Sequence, residues 1–272
     1  MRGPAGRRAE RAAVRMALSA DDGAAVRRRR WGLDRCALLR GLPVTLLEHI
    51  ARHSSEAHLE EGDALFFKND PSDCLAFVVH GRIYKLLYGP DGQELIVDTI
   101  ESGETVDETP LLDTHAHTFT AVAYSPTRVL LLPRRHFPSL TNDPVVIERA
   151  HASLCLRLRQ AVESLETMCL HRLESRLARY LLSLMHNQPQ PRGGDFEVAL
   201  PPTQSILAAM VNASRPKLNA QLQTWHRSGL VSRKRNILRI NDIDQFRCKA
   251  FLDRDFERPA GRARAASAWR NA

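Results

Sequence analysis

Residues 203–240 leave this chain little choice of fold. PPTQSILAAMV reads as a helix with proline near its first turn, NAS as a turn, and RPKLNAQLQTWHRSG as a second helix; VSRK-RN-ILRI then reads as a hairpin of two short strands. Helix, tight turn, helix and hairpin in that order predict a winged helix-turn-helix. The turn needs a residue that tolerates positive φ, and Asn212 occupies it. Ala208 is small where the helices would cross, while Ile206, Leu207, Val211, Leu218 and Leu222 supply the packing. Ser214 is placed as the N-cap of the second helix and Pro216 in its first turn, where no intrahelical N–H bond is lost. The polar residues left over are Arg215, Lys217, Asn219 and Gln221. Arg pairs bidentately with guanine and Asn with adenine in the major groove, so Arg215 and Asn219 are the expected base readers. Lys217, and Thr203 with Gln204 at the start of the first helix, are expected to hold phosphates. Arg233, Lys234, Arg235 and Arg239 of the hairpin could contact the adjacent backbone.

Charge supports this division of labour. The 272 residues carry a formal net charge of +8, distributed as +6 over residues 1–30, −8 over 31–170, +8 over 171–250 and +2 over 251–272. An acidic middle and a basic C-terminal third imply two domains with different partners. The basic third suits nucleic acid, because neutralising phosphates supplies most sequence-independent affinity. With 43% apolar and 26% charged residues, the composition is that of a folded globular chain.

From about 57 to 135, short β-type runs alternate with turn signals: ALFF, NDPSD, LAFVVHGRIYKLLY, GPDG, QELIVDTI, ESGE, then TFTAVA and TRVLLL. This spacing predicts an antiparallel sandwich or barrel. A helix is expected from Pro144 onward, where Ile147, His151, Leu154, Leu158, Ala161, Leu165 and Met168 follow heptad spacing. Glu148, Arg157, Arg159, Glu163 and Glu166 lie off that stripe, which suits pairing with the same helix of a second copy. Packing of the helix on its own domain is the alternative. A second amphipathic helix at about 171–186, the breaker NQPQPRGGD and a short strand FEVAL lead into the helix-turn-helix. Residues 1–30, with RRRR at 27–30, are expected to be disordered because a block of like charge repels itself, and 253–272 form a second disordered tail.

The segment TQSILAAMVNASRPKLNAQLQTWHRSGLV resembles the recognition segment of the Crp/Fnr family of bacterial regulators. SDCLAFVVHGRIYKLLYGPDGQELIVDTIESGE resembles that family's cyclic-nucleotide-binding β-roll. The resemblance covers about residues 35–250. It implies an α+β fold: an antiparallel β-roll sensory domain over 31–143, a long central dimerisation helix over 144–170 and a winged helix-turn-helix over 171–252. It further implies a homodimer on double-stranded DNA with half-sites one helical turn apart, and RNA polymerase as a partner. Members that bind cyclic AMP carry a Gly-Glu pair followed further on by Arg-Ser or Arg-Thr. Aligned on TVDETPLLDTHAHTFTAVA at 105–123, Glu108 and Thr118 match, Asp107 takes the Gly position and His117 the Arg position. Glu108, His117 and Thr118 are the candidate effector contacts. Asp107 would set a second carboxylate where a phosphate should sit, His is mostly neutral near pH 7, and Pro110 removes a backbone donor. Each such loss costs on the order of a few kcal/mol. Cyclic AMP is therefore not the expected effector, and no cofactor is expected.

Other chemistries find little support in the sequence. Cys36, Cys74, Cys155, Cys169 and Cys248 are scattered with no CxxC pair, so they are expected to be reduced, buried structural thiols, and Cys36 alone near the N-terminus does not make an iron–sulfur site. His115 and His117, near Asp107, Glu108 and Asp113, could share a strand face toward a metal, but a polar surface loop is the expected arrangement and no metal is assigned. GxSxG, GxxxxGK[ST] and HExxH are all absent, which argues against an enzyme. No apolar run reaches the roughly 18 residues of a membrane span, and the opening residues lack a secretory apolar region, so the cytoplasm is the expected location. A signalling subunit with a regulatory β-roll is a rival class, against which the helix-turn-helix argues.

Overall fold

The computed structural model describes residues 16–17, 23–186 and 196–250. The chain divides into two compact units, residues 1–163 and 164–272.

In the first unit the strands form two four-stranded antiparallel sheets. One has the spatial order β1 (Met16–Ala17), β2 (Ser55–Leu59), β8 (Thr127–Pro133), β4 (Cys74–His80); the other runs β3 (Ala64–Phe66), β7 (Thr120–Ala123), β5 (Arg82–Tyr88), β6 (Glu94–Glu101). Strand side chains alternate between faces, yet residues 75–78 of β4 and 129–132 of β8 are apolar and buried in succession because both faces are covered there. Ala76, Val78, Val129 and Leu131 pack between the sheets with Ile83, Ile100 and Ala121. Leu75, Phe77, Leu130 and Leu132 point outward into a second core. That core is closed by α1 (Gly23–Asp34), α2 (Val44–His53), α3 (Pro138–Thr141) and the start of α4 (Pro144–Leu170), which contribute Leu33, Leu47, Ile50, Leu140, Val146 and Ala150.

Helix α1 corrects the expectation of disorder through residue 30. A helix turns its side chains about 100° per residue, so four consecutive arginines need not face one another. Arg29 is buried and donates from Nη1 to the Ala51 carbonyl at 3.2 Å. Arg30 pairs with Glu48 at 3.3 Å and Arg28 with Glu56 at 3.8 Å. Apart from β1, residues 1–22 lie outside the described residues, as does the tail expected at 253–272.

The second unit packs α5 (Leu173–His186), α6 (Gln204–Met210), α7 (Arg215–Arg227) and α8 (Ile243–Ala250) with a three-stranded antiparallel sheet. Its strand order is β10 (Val231–Lys234), β11 (Ile237–Ile240), β9 (Phe196–Ala199). Leu177, Leu181, Leu207, Leu218, Trp225 and Leu238 form the core with Phe246. Asn212 holds φ +49°, and the Ala213 N–H closes the turn onto the Ala208 carbonyl at 2.9 Å. Ala208 and Val211 are buried as expected, but Ile206 is only half-buried and stands outside the core.

Helix α8 has no counterpart among the elements expected from the sequence. It sets Phe246 edge-on to Trp225, with ring centroids 5.1 Å apart. The Trp225 indole N–H donates to Glu174 at 3.0 Å, and Lys249 pairs with the same carboxylate at 2.7 Å. Partial burial alone would raise the Glu174 pKa; these two partners outweigh it and hold the carboxyl below its ordinary value.

The cysteines depart from expectation as well. Cys36 is buried and Cys74 half-buried, but Cys155, Cys169 and Cys248 are exposed. The first two of these exposed thiols ride on α4, a helix with only Val146 and Ala150 fully buried. Burial pushes the Cys36 thiol up to about 12, which makes it inert. Among the described residues no helix is long and apolar enough to cross a membrane.

Candidate nucleic-acid interface and sensory pocket

The helix-turn-helix presents its N-terminal edge to solvent. Thr203 caps α6, its hydroxyl oxygen accepting from the Ile206 N–H at 3.3 Å, and its own O–H remains available to donate. Ser214 occupies the N-cap position of α7 with extended backbone, but its side chain makes no capping bond. This corrects the capping role given to its hydroxyl and leaves that group facing solvent. Arg215 and Lys217 are exposed, while Leu218 directly after them is fully buried and anchors the turn.

Asn219, Gln221 and Gln204 are only half-buried, and they do not share one surface. Gln204 and Asn219 line a cleft of about 360 Å³ with Leu222, His226, Val231 and Arg233. The Asn219 Oδ1 is sealed there without a hydrogen-bond partner. Bidentate adenine recognition uses the amide oxygen as well as the nitrogen, so an Asn219 that reads a base has to turn its amide out of this cleft. The outward face of α7 is made by Pro216, Ala220, Thr224 and Arg227, all exposed, while exposed Gln223 borders the cleft. Spacing from buried Leu218 and Trp225 and half-buried Leu222 could have located this face, since residues opposite an apolar stripe on a helix point away from the core. In the hairpin, Arg235 takes φ +55° at the tip, and Arg233, Lys234, Arg235 and Arg239 are all exposed.

In the first unit the effector segment folds inward as a buried ion-pair network. Glu108 is 3% exposed and accepts from Arg157 Nε at 3.2 Å, from Ser153 Oγ at 3.1 Å and from the Thr105 hydroxyl. The Arg157 guanidinium also pairs with Asp98 and donates to the Thr105 carbonyl at 3.2 Å. Lys85, buried on β5, reaches Asp98 at 3.5 Å and sits 4.6 Å above the Phe119 ring. Burial lowers its pKa, the Arg157 charge lowers it further, and Asp98, Asp107 and Glu108 oppose the shift.

Asp107, expected to set a second carboxylate at the phosphate position, is buried. It accepts from the Thr109 N–H at 3.1 Å, the Thr109 hydroxyl at 2.8 Å and His117 Nδ1 at 3.4 Å. Burial would raise its pKa; the bonds from His117 and Thr109, with the Lys85 charge, outweigh burial and hold the carboxyl below its usual value. His117 is buried and stacked on Phe66 with centroids 3.6 Å apart, whereas Thr118 next to it is exposed. Of the three expected effector contacts, then, Glu108 and His117 turn into the protein and Thr118 does not join them. His115 is exposed and pairs with Asp113 at 3.4 Å, so the two histidines of this segment do not converge. In the sequence, Arg157 stands out only as a charge off the helical stripe. Val146, Ala150, Ser153 and Arg157 repeat at helical spacing along the face of α4 turned to its own unit, and that period is the signal that could have found it.

A β-roll with a buried charged pocket and a winged helix-turn-helix on one chain define the class of transcription regulators that couple a sensory domain to DNA. The cyclic nucleotide-binding domain matches residues 56–143 and the Crp-like helix-turn-helix domain residues 175–248. A CRP-like cAMP-activated global transcriptional regulator of Mycobacterium tuberculosis is 22% identical over 219 residues, covering 80% of this chain and 98% of that protein. The cyclic AMP receptor protein of Thermus thermophilus is 28% identical over 172 residues, 63% of this chain and 76% of that protein. In fold, the c-di-GMP-responsive global regulator CLP of Xanthomonas campestris is similar with a TM-score of 0.64 at 18% identity, covering 74% of this chain and 100% of that one. The chain belongs to the Crp/Fnr family and is a Crp-like transcription regulator with a DNA-binding helix-turn-helix.

The ion pair at the pocket gives a direct test of its weight. Arg157→Met strands Glu108 as a buried carboxylate and is expected to cost about 3–5 kcal/mol in denaturant unfolding of the full chain. Adding Glu108→Gln should restore part of that loss; equal stability of wild type and Arg157→Met would show that the pair carries no net stabilisation.

Proposed function

We propose that this regulator binds a palindromic DNA site as a homodimer, through the N-terminal edge of α7, and that its sensory pocket does not take a cyclic nucleotide. The observation that carries the DNA reading is the pair of exposed cations, Arg215 and Lys217, on the first turn of a helix anchored by buried Leu218. Arg215 reads a base edge. Lys217, Ser214 and Thr203 hold phosphates beside it, Gln204 and Gln221 contribute from the flanks, and the hairpin arginines follow the adjacent backbone. RNA polymerase is the further partner and the cytoplasm the compartment in which these meet. No catalytic role is assigned.

Dimerisation rests on α4. Leu158 is 66% and Leu165 60% exposed, with Ala161 and Val162 exposed between them. A helix that leaves such a stripe in water has its apolar face unpaired, and a second copy of the same helix covers it through a heptad seam. The effector reading rests on Glu108, whose carboxylate is already satisfied by Arg157, Ser153 and Thr105. A nucleotide would have to break that pair and would find neither the Gly nor the Arg of the phosphate segment. A cleft of about 350 Å³ beside it, lined by Leu38, Glu104, Arg149 and Leu156, is the space open to a different small effector.

In a binding assay with a selected palindromic duplex, Arg215→Ala should weaken the specific site by about 1–3 kcal/mol and relax preference at one base pair in each half-site. Lys217→Ala should lower affinity for specific and unrelated duplexes alike and reduce the salt slope by about one unit for each phosphate left without its cation. Equal weakening of all sequences by Arg215→Ala would remove it as a base reader.

Leu158→Arg with Leu165→Arg puts charges into the proposed seam, where unpaired burial is costly. Sedimentation should show a dimer for wild type and a monomer for the double variant; identical masses rule out this seam.

Titration calorimetry with cyclic AMP and cyclic GMP should give no binding in the low micromolar range. Gain of binding in Asp107→Gly with His117→Arg would support the alignment, and tight binding by the wild type would overturn the effector reading.

A further inference from the structure

Away from the pocket and from the DNA-reading helix, three histidines meet on the helical side of the first unit. His49 and His53 lie one turn apart on α2, and His136 ends the 3-10 turn Arg134–His136 that follows β8. Their ring centroids are 4.3 Å apart for His49 and His53, 4.1 Å for His53 and His136, and 5.9 Å for His49 and His136. One ring nitrogen from each lies within 4.8 Å of the others. We propose that His49, His53 and His136 form a three-imidazole site for a borderline divalent cation of the zinc type, with a fourth position open to solvent.

The chemistry of the donors supports this. Unperturbed imidazole, with a pKa of about 6.5, is mostly neutral at pH 7 and offers a lone pair. Imidazole nitrogens suit Zn, Ni, Co and Cu, whereas Mg and Ca require oxygen ligands. His53 Nδ1 lies 2.7 Å from the His49 carbonyl oxygen, which can only accept. The proton is therefore on Nδ1 and the lone pair on Nε2, the tautomer and outer hydrogen bond typical of a metal-bound histidine. His136 Nε2 is likewise a lone pair, since it accepts from Arg135 Nε at 3.1 Å. Arg135 is exposed and can swing away. Tetrahedral zinc with Zn–N of about 2.0–2.1 Å needs nitrogens about 3.3 Å apart. With the nitrogens within 4.8 Å of one another, the cluster has to close by at most about 1.5 Å, through rotation of the exposed His49 and His53 side chains.

The position also gives the site a consequence. Helix α2 enters the outer core through Leu47, Ile50 and Ala51, and the segment after His136 enters it through Phe137 and Leu140 before α4 begins. A cation held by all three rings would tie α2 to the connection that leads into the central helix. The site is independent of the DNA and effector readings above.

The test uses the full chain, stripped with chelator, kept reduced and titrated with Zn²⁺ by calorimetry. One ion per chain is expected, binding in the micromolar range or tighter and weakened by about tenfold or more in His49→Gln with His53→Gln. Thermal unfolding should show Zn²⁺ raising the melting temperature of wild type and not of that variant. Failure to bind, or binding undiminished in the variant, would overturn the proposal. Co²⁺ substitution separates the exposed thiols from the imidazoles: a strong thiolate charge-transfer band would place the ion on cysteine and sink the assignment. Footprinting of wild type with a histidine-acylating reagent needs no variant. Zn²⁺ should protect His49 and His53 while His58 and His115 stay reactive; equal reactivity with and without Zn²⁺ counts against the site.

Discussion

The guanidinium of Arg157 joins helix α4 to the β-roll. It reaches from the helix to the segment that follows β6, and there it meets Glu108, Asp98 and the Thr105 carbonyl. An unpaired carboxylate at the burial of Glu108 would cost several kcal/mol, so the helix and the effector segment depend on each other electrostatically. Ser153, Ala150 and Val146 continue the contact along one face. A second side of α4, about 100° around the helix, keeps Leu158 and Leu165 in water. A single helix thus serves the pocket with one stripe and remains open to a partner with another.

This arrangement changes the meaning of the altered effector segment. Asp107 and His117 are not damaged remnants of a phosphate site left facing an empty pocket. They bond to each other, Thr109 joins them, and Phe66 covers the imidazole. Lys85 adds a buried cation beside Asp98. Each carboxylate of this segment is thus met by a cation or a hydrogen-bond donor of the chain itself, which is the basis of the proposal that no cyclic nucleotide binds there.

In the second unit the buried residues explain which polar side chains are free to act. Leu218 and Trp225 pin α7 to the core, and Trp225 in turn is held by Glu174 and Phe246. With those positions fixed, helical geometry turns Pro216, Ala220 and Arg227 outward and Asn219 sideways into the cleft beside the hairpin. Polarity alone could not separate Asn219 from Arg215, because both are good hydrogen-bonding groups in the same segment. Their burial differs: Arg215 is exposed, while the Asn219 oxygen is turned into the cleft.

Much of this is legible in the amino-acid sequence. Asn212 in the turn, small Ala208 at the helix crossing and the two-residue tip of the hairpin depend on local backbone rules, and local rules are written in neighbouring residues. The alternation of short apolar runs with turn signals likewise announces the antiparallel sheets. Contacts between distant residues are not legible. Arg157 meets Glu108 across 49 positions of sequence, and Arg29 finds the Ala51 carbonyl across 22. His136 joins His49 and His53 only because β8 ends beside α2. A charge or an imidazole in a sequence carries no record of which partner the folded chain will bring to it. Neighbouring residues therefore set the elements and their order, while long-range packing selects which charges are buried in pairs, which polar groups are sealed, and which remain free to meet another molecule.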